Sequence, residues 1–197
     1  MEFSEKYNFT ESDSKFDKVY PSQYQEISKI YWTPVEVIKT AINWLEGNEP
    51  KKILDIGSVV GKFCVIGSIL SKFTFVGVEK RENLVRQSRK TATFFKTKNV
   101  SFINDNITNI NFQEFDAFYY FNPFCEQIAY SNWIDQKPDF SEKKYKHYED
   151  YVIRELSAMP IGTKVITYCS DDLHLANSYR LRNMMFNGLL LLWVKEQ

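Results

Sequence analysis

Short apolar segments alternate with longer amphipathic segments through most of this sequence, and no other feature restricts its fold as strongly. Segments with the length and composition of β-strands occur at 52–56, 73–78, 100–103, 115–121 and 164–169. Segments with a helical spacing of apolar residues occur at 63–70, 82–96 and 145–159. Strands that alternate with helices in this way predict a parallel sheet that is covered by helices on both faces.

The part of the sequence before the first strand is less regular. Residues 1–20 are polar, with scattered aromatic residues and no steady period, so we expect a loose arm. A short helix is expected at 22–31. A longer helix should follow, with Thr33 as its N-cap and Pro34 at its first helical position, because these residue types favour a helix start.

The C-terminal end has a different pattern. Asn187 and Gly188 separate two strand-like segments at 179–186 and 189–195. An Asn-Gly pair in this position is a strong signal for a β-hairpin. We therefore expect antiparallel strands at one end of an otherwise parallel sheet.

One long segment, 125–144, fits none of these patterns. Irregular segments of this length are usually functional or disordered, and the aromatic residues Trp133 and Phe140 argue against disorder. We expect this segment to form a lid over a substrate.

The charge balance restricts the partners. Lys and Arg together number 25, as do Asp and Glu, so the net charge is zero and gives no general attraction to nucleic acid or to an anionic membrane. A nucleic acid partner is possible but has no support from the net charge. The apolar run 189–194 is too short to cross a bilayer, so no membrane partner is expected.

The cysteines and histidines bear on the expected cellular compartment and on whether a metal site is expected. The three cysteines lie far apart and the N-terminus lacks the features of a signal peptide, so we expect a cytoplasmic protein with reduced thiols. The cysteines do not have metal-ligand spacing and there are only two histidines, so no metal site is expected.

A glycine-containing loop joins the first strand to the helix that follows it. Gly57 and Gly61 would let the backbone approach a ligand closely, and the helix N-terminus beyond them would attract an anionic group. Asp55, at the end of the strand, has the chemistry to accept hydrogen bonds from an ammonium group. The loop therefore predicts a site for a ligand that carries both charges.

Two further acidic residues follow the next two strands. Glu79 comes after the second strand, where an acid can accept hydrogen bonds from both hydroxyls of a ribose. Asp105 comes after the third strand and could accept a hydrogen bond from an adenine amino group. Each acid alone could belong to an ordinary turn or helix start. Since the carboxyl ends of parallel strands meet at one edge of a sheet, all three acids together predict a nucleotide-like site there.

These residues carry a resemblance to a known family. Leu54-Asp55-Ile56-Gly57-Ser58 with Gly61 resembles the first motif of the class I S-adenosylmethionine (SAM)-dependent methyltransferases. The segments 76–79, 104–106 and 115–124 resemble the later motifs of that family, and the C-terminal hairpin matches its sheet. The resemblance covers about residue 31 to the C-terminus. It implies a Rossmann-like, seven-stranded, mostly parallel sheet with helices on both faces and a C-terminal antiparallel β-hairpin.

The resemblance also implies a function. The protein would use SAM as its co-substrate, with the methionine portion at the loop, the ribose at the second acid and the adenine at the third. The implied SAM-binding residues are Asp55, Gly57, Ser58, Gly61, Glu79, Asp105 and Asn106. The chain would then divide into an N-terminal arm with a short helix at 1–33 and a methyltransferase-like domain at 34–197.

The acceptor side is predicted at Asn122, Pro123 and Phe124. This turn resembles part of the Asn-Pro-Pro-aromatic motif of enzymes that methylate nitrogen on nucleobases or glutamine, although it could also be a plain strand-ending turn. Proline is expected to hold the preceding residue in an extended conformation. We expect a nitrogen acceptor (a protein side chain, a nucleobase or a small molecule) to bind between this turn and the segment 125–144. Tyr31 and Trp32 would close the other side.

One departure from the family keeps other functions open. Val59 occupies the position of the middle glycine of the loop, and a β-branched residue does not easily adopt positive φ. We expect either an altered loop path or weak SAM binding, so a SAM-binding module with little or no activity is an alternative. A nicotinamide-dependent oxidoreductase has less support, because the intervals between the glycines do not fit its motif.

Overall fold

The computed structural model describes residues 8–26, 28–47, 51–124, 141–170, 175 and 178–196. Within these residues the chain forms a seven-stranded sheet with the order β3-β2-β1-β4-β5-β7-β6. The strands are β1 (Lys52–Ile56), β2 (Thr74–Glu79), β3 (Val100–Asn104), β4 (Ala117–Tyr120), β5 (Lys164–Tyr168), β6 (Tyr179–Met185) and β7 (Leu190–Lys195).

The pairing of the strands confirms the predicted fold class. Strand β1 pairs in parallel with β2 and β4, and the outer pairs β2–β3 and β4–β5 are also parallel. Strand β7 is antiparallel to both of its neighbours, β5 and β6. The carboxyl ends of β1 to β4 therefore lie along one edge of the sheet, where open α/β sheets bind their ligands.

Helices pack on both faces of the sheet. They are α1 (Asp13–Phe16), α2 (Ser22–Gln25), α3 (Ser28–Tyr31), α4 (Val35–Leu45), α5 (Lys62–Leu70), α6 (Glu82–Phe95) and α7 (Glu142–Ser157). Successive strand residues point to opposite faces, so Ile53 joins the apolar cluster under α4, α5 and α6, whereas Leu54 joins the cluster under α7. Among the described helices, none has the length and apolar character needed to span a bilayer.

The N-terminal segment is packed rather than loose. Phe16 and Tyr20 are almost completely buried, and the Phe16 ring stacks on Phe95 of α6 with 5.2 Å between the ring centroids. The expected loose arm is therefore wrong for the described part of this segment, because its two aromatic side chains complete the cluster that covers one face of the sheet. The helix expected at 22–31 consists of the two short helices α2 and α3.

The start of α4 also differs from the expectation. Pro34, not Thr33, is the N-cap, and the backbone N–H of Val35 donates to Oδ1 of Asp13 at 2.9 Å. The Thr33 hydroxyl instead shares a hydrogen bond of 2.7 Å with the hydroxyl of Tyr119 on β4. The residue type of Thr33 favours the N-cap position, but its side chain forms a hydrogen bond with Tyr119 instead, which lies far away in the sequence.

The C-terminal hairpin is confirmed. The backbone N–H of Leu189 donates to the carbonyl of Phe186 at 3.1 Å, and Asn187 and Gly188 between them have φ values of 55° and 86°. These positive values are what a tight hairpin turn between twisted strands requires.

The expected lid at 125–144 lies mostly outside the described residues. Its last residues, from Glu142, form the first turn of α7, which Ser141 caps by accepting a hydrogen bond from the Lys144 N–H at 3.2 Å. The helix therefore begins before its predicted start at Tyr145.

Candidate active site

A cavity opens at the carboxyl ends of β1 and β4. Its lining includes Asp55 near the end of β1, Gly57 and Ser58 in the loop that follows, and Tyr31 and Trp32 in the segment that leads into α4. The structure thus brings together the loop residues and the aromatic pair that the sequence singled out. The remaining lining residues are Thr33, Val59, Val60, Lys62, Phe63, Tyr119 and Phe121.

At two positions of the loop, neighbouring residues leave no space for any residue other than glycine. Gly57 and Gly61 have φ values of 76° and 77°. A Cβ atom on Gly57 would lie 2.3 Å from Cβ of Pro123, and one on Gly61 would lie 2.5 Å from the ring of Phe102. No larger side chain fits at either position, so the loop packs directly on the turn after β4 and on β3.

Val59 adopts the left-handed conformation that its position in the loop demands. Its φ is 49°, which is a strained conformation for a β-branched residue. The backbone therefore keeps a positive φ at the position where the family has a glycine, and the valine side chain does not force it into the β or α region. The cost is about 1–2 kcal/mol of conformational strain.

Asp55 is a buried carboxyl group with an unusual partner. Its side chain is 4 % exposed, and Sγ of Cys64 donates to its Oδ2 at 3.3 Å. Burial raises the pKa of Asp55 to about 7, the hydrogen bond from Cys64 lowers it, and the nearby charge of Glu79 raises it. Near neutral pH this carboxyl group therefore exists in both protonation states, and a ligand cation would favour the ionised one.

Glu79 is equally buried, at 5 % exposure, but it has a cationic partner. The backbone N–H and Nε of Arg81 both donate to its Oε1 at 2.9 Å, and Nη2 of Arg81 donates to its Oε2 at 3.1 Å. This two-pronged contact fixes the orientation of the carboxylate at the end of β2. Its neighbour in β3 is Asn104, whose side chain donates to the carbonyl of Glu79 at 3.1 Å.

Asp105 and Asn106 follow β3 at the same edge, where both also shape the turn. Oδ1 of Asp105 accepts from the Asn106 N–H and from Nδ2 of Asn109, both at 2.7 Å. Oδ1 of Asn106 accepts from the Thr108 N–H at 3.2 Å, and its Nδ2 donates to the Tyr148 hydroxyl at 3.1 Å. Asp105 is exposed, so its carboxylate is accessible from solvent.

The turn after β4 contacts the loop but does not have the expected backbone. Asn122 has a φ of 34°, so the expected extended conformation before proline is wrong. Its N–H donates to Oγ of Ser170 at 2.9 Å, and this anchor outweighs the local preference. Pro123 packs on Gly57, and the Phe124 ring lies 5.2 Å from that of Tyr148 on α7.

The sequence interpretation missed a buried lysine beside the loop. Lys62 begins α5, and its ammonium group pairs with Oδ1 of Asp13 at 2.6 Å and with Oδ1 of Asp17 at 2.7 Å. The hydroxyl of Tyr20 also donates to the carbonyl of Val60 at 3.2 Å. These contacts attach the N-terminal segment to the loop. The four-residue spacing of the two aspartates was the signal that could have indicated one helical face.

Burial also shifts the pKa values of two groups near this site: Asp17, which contacts this lysine, and Tyr119, which lines the cavity. Burial raises the pKa of Asp17, although the hydrogen bond and charge of Lys62 lower it. Burial likewise raises the pKa of Tyr119, whose ring stacks on Phe63 at 3.8 Å. Tyr119 was missed because an aromatic residue in a buried strand gives no signal other than core packing.

The strand order, the glycine loop and the acids at successive strand ends define the class I SAM-dependent methyltransferase fold. An RNA methyltransferase from Salinibacter ruber, in complex with S-adenosyl-L-homocysteine, matches with a TM-score of 0.59 at 16 % identity, over 84 % of this chain and 94 % of that one. The putative methyltransferase yhhF from Escherichia coli matches with a TM-score of 0.57 at 15 % identity, over 82 % and 86 % of the two chains. A point mutant of MtNAS, in complex with SAM, matches with a TM-score of 0.59 at 17 % identity, over 99 % and 72 %.

A comparison of the sequence with models of protein families identifies the family. The model of the protein-L-isoaspartate(D-aspartate) O-methyltransferase family matches residues 1–115, which is more than half of the chain, and the protein belongs to that family. No curated protein sequence gives a significant match. The protein is therefore a SAM-dependent methyltransferase.

Proposed function

We propose that the protein transfers the methyl group of SAM to a nitrogen atom of an acceptor held beside Asn122, Pro123 and Phe124. The observation that carries this proposal is the packing of Pro123 on Gly57, which joins the turn to the glycine loop. An acceptor at the turn would then lie next to the methionine portion of the donor. The positive φ of Asn122 supports the proposal, since strained backbone often occurs at functional sites.

We expect the contacts with SAM to come from residues at this same edge of the sheet. Asp55 would pair with the ammonium group of the donor, and Gly57, Ser58 and Gly61 would lie along its methionine portion. Glu79 would accept hydrogen bonds from the ribose hydroxyls while it keeps its contact with Arg81. Asp105 and Asn106 would border the adenine. The chemistry of these residues fits the donor, because Asp55 is a buried acid that suits an ammonium group.

The reaction itself needs little from the protein beyond positioning. The lone pair of the acceptor nitrogen forms a bond to the methyl carbon as the bond between that carbon and sulfur breaks. The sulfur keeps the electron pair, and S-adenosylhomocysteine leaves. The Asn122 side chain would orient the acceptor by accepting a hydrogen bond from its N–H. An amide is too weak a base to remove a proton, so the acceptor arrives neutral or loses its proton to water.

A carboxylate oxygen is the second candidate acceptor, because the family description names O-methylation of isoaspartate. The matched region ends at residue 115, before the turn at Asn122 begins, so the match supports the donor half of the site more than the acceptor half. A carboxylate would also need no base.

The stability of the product distinguishes these acceptors. The protein would be incubated with SAM labelled in its methyl group and with three kinds of acceptor: RNA, peptides with amide and amine side chains, and isoaspartyl peptides. N-methyl groups resist mild alkali, whereas methyl esters release methanol. Alkali-stable label is the expected result, and release of the label as methanol would replace nitrogen with a carboxylate oxygen.

A variant then tests the turn. Asn122→Gly removes the side chain and tolerates the positive φ, so it should lower turnover at least about tenfold while SAM affinity stays near that of the unmodified protein. Asn183→Ala, on the exposed strand β6, is the matched control and should change neither quantity. Unchanged turnover in Asn122→Gly would remove the turn from the acceptor site.

A further inference from the structure

Positive charge is concentrated in one part of this chain, although the net charge of the whole chain is zero. Seven of the 25 Lys and Arg residues lie in residues 80–104, whereas only one of the 25 Asp and Glu residues does. These residues run from the end of β2 through α6 to β3, which is the edge strand of the sheet. The excess of positive charge therefore belongs to one side of the fold, next to that edge.

The cations of α6 lie on its exposed side. Arg86, Arg89 and Lys90 are all exposed, and spacings of three and four residues place them on one face of the helix. The opposite face of α6, which includes Leu84 and Phe95, is buried in the apolar cluster on the sheet. Two further exposed lysines flank the helix and complete a surface that we call the basic surface: Lys80, Arg86, Arg89, Lys90 and Lys98.

The charge of the basic surface is not neutralised within the part of the chain that the structure describes. Among these residues, none forms an ion pair with a cation of the basic surface. Nη2 of Arg89 donates to the carbonyl of Phe102 on β3 at 2.8 Å, which orients the guanidinium group but leaves its charge uncompensated. Like charges three and four residues apart destabilise a helix, so an anionic partner would relieve a repulsion that the folded chain retains.

The extent of the surface favours a polyanion over a single anion. Because an α-helix rises about 1.5 Å per residue, Arg86 and Lys90 lie about 6 Å apart along the helix axis, and the whole of α6 is about 20 Å long. A single phosphate ion could contact only one or two of these cations. The backbone of a nucleic acid carries one negative charge per nucleotide and could contact several of them.

An exposed aromatic ring lies beside these cations. Phe94 is 46 % exposed and follows Lys90 by four residues, so it lies one turn further along α6. The Phe9 ring contacts it edge-on, with 5.9 Å between the ring centroids. Proteins that bind single-stranded nucleic acids combine cations that follow the backbone with aromatic rings on which bases stack.

We propose that the basic surface binds the phosphate backbone of a single-stranded nucleic acid, with a base stacked on Phe94. This inference goes beyond the proposed function, because it concerns a surface outside the SAM cavity and does not depend on the acceptor atom. Lys80 directly follows Glu79, so the surface begins at the edge of the sheet that holds the donor site. A strand bound there is kept close to that edge.

Two double variants test the basic surface. Arg86→Gln with Lys90→Gln removes two charges from it, and the matched control, Lys143→Gln with Lys146→Gln, removes two exposed charges from α7. Fluorescence anisotropy with single-stranded RNA and DNA of about 12 nucleotides, at several salt concentrations, measures binding. The first variant should bind at least about tenfold more weakly and lose about 0.7 per removed charge from the slope of log affinity against log salt, whereas the control should match the unmodified protein.

A further variant and other ligands complete the test. Phe94→Leu should weaken binding at least about fivefold and leave the salt slope unchanged, because it removes only the stacking ring. Binding of either RNA or DNA supports the inference, and the tighter of the two identifies the sugar that the surface accepts. Equal weakening by the control, normal binding by Phe94→Leu, equally tight binding of duplexes, or tighter binding to phosphatidylserine vesicles than to either strand would overturn it.

Binding of SAM separates this inference from the proposed function. All the variants lie outside the SAM cavity, so each should bind SAM like the unmodified protein, which also shows that it is folded. Failure of the unmodified protein to bind either nucleic acid, with normal binding of SAM, would overturn only the inference about the basic surface. Failure to bind SAM, with normal binding of a single strand, would overturn only the proposed function.

Discussion

The ends of β1 and β2 each hold a buried carboxyl group, and the two groups have hydrogen-bond partners of different charge. Asp55 pairs in register with Gly77, two residues before Glu79, so the two acids belong to adjacent strand ends. A thiol donates to Asp55, and its pKa is raised to about 7. Arg81 donates three hydrogen bonds to Glu79.

This difference indicates what each acid still needs from a ligand. Glu79 has its charge balanced by its own chain, so a ligand adds hydrogen bonds to a carboxylate that is already ionised and oriented. Asp55 has a neutral partner in the described structure, so a ligand with an ammonium group would supply its counter-charge. We therefore expect Asp55 to contribute more than Glu79 to the binding of SAM, and only through the amino-acid portion.

The largest effect is expected from Asp55→Asn. Loss of a charged hydrogen-bond partner costs about 1.5–3 kcal/mol, which is about ten- to 150-fold in affinity for SAM. Affinity for 5′-methylthioadenosine, which lacks the ammonium group, should stay unchanged. Calorimetric titration of both ligands measures this, with Asp150→Asn on the exposed face of α7 as the control. Equal weakening of the two ligands would mean that Asp55 supports the loop and does not contact the amino acid.

The second effect is a pH dependence of SAM binding. An ammonium group binds the ionised form of Asp55, so binding lowers the raised pKa of this residue and releases a proton below about pH 7. Affinity for SAM should therefore rise from pH 5.5 to about 7, by up to about tenfold for each pH unit, and then level off. Titrations at several pH values should show this slope for SAM and not for 5′-methylthioadenosine. A slope that persists in Asp55→Asn would assign it to another group.

A smaller and less selective effect is expected from Glu79→Gln. The ribose occurs in both ligands, so their affinities should fall together, by about three- to tenfold, as for the loss of hydrogen bonds that the ligand shares with Arg81. The same pair of titrations measures this. A loss confined to SAM would place the amino-acid portion, and not the ribose, at Glu79 and would reverse the comparison.

The smallest effect is expected from Val59→Gly. Relief of the left-handed strain gains about 1–2 kcal/mol, and the greater freedom of glycine in the unfolded chain offsets about 0.5–1 kcal/mol of it. The free energy of unfolding should therefore rise by up to about 1.5 kcal/mol, measured by denaturant titration, and SAM binding should be kept or become tighter. A folded variant that no longer binds SAM would show that the valine side chain itself contacts the donor.

Local sequence patterns predicted the elements of the fold well, because each depends on neighbouring residues. The strand β1, the glycine loop and the Asn187-Gly188 turn were all indicated by type and spacing. The order of the strands in the sheet was not predicted, because local patterns along the sequence do not contain it. The start of α4 was predicted one residue too early, because Asp13, which caps it, lies 22 residues away.

The same reason explains what the sequence did not reveal about the site. The burial of Lys62 depends on Asp13, 49 residues earlier in the chain, and the backbone at Asn122 depends on Ser170, 48 residues later. The indole N–H of Trp32, which has no hydrogen-bond partner among the described residues, was recognisable only from the packing around it. Contacts of this kind come from tertiary packing, so no local pattern predicts them.

The most direct test of the account is a calorimetric titration of the unmodified protein with SAM and, under the same conditions, with NAD. We predict that SAM binds at one site per chain in the micromolar range, that S-adenosylhomocysteine competes with it, and that NAD gives no heat of binding. Binding of NAD, or of neither ligand, would contradict the assignment of the cavity at the end of β1 to the methyl donor.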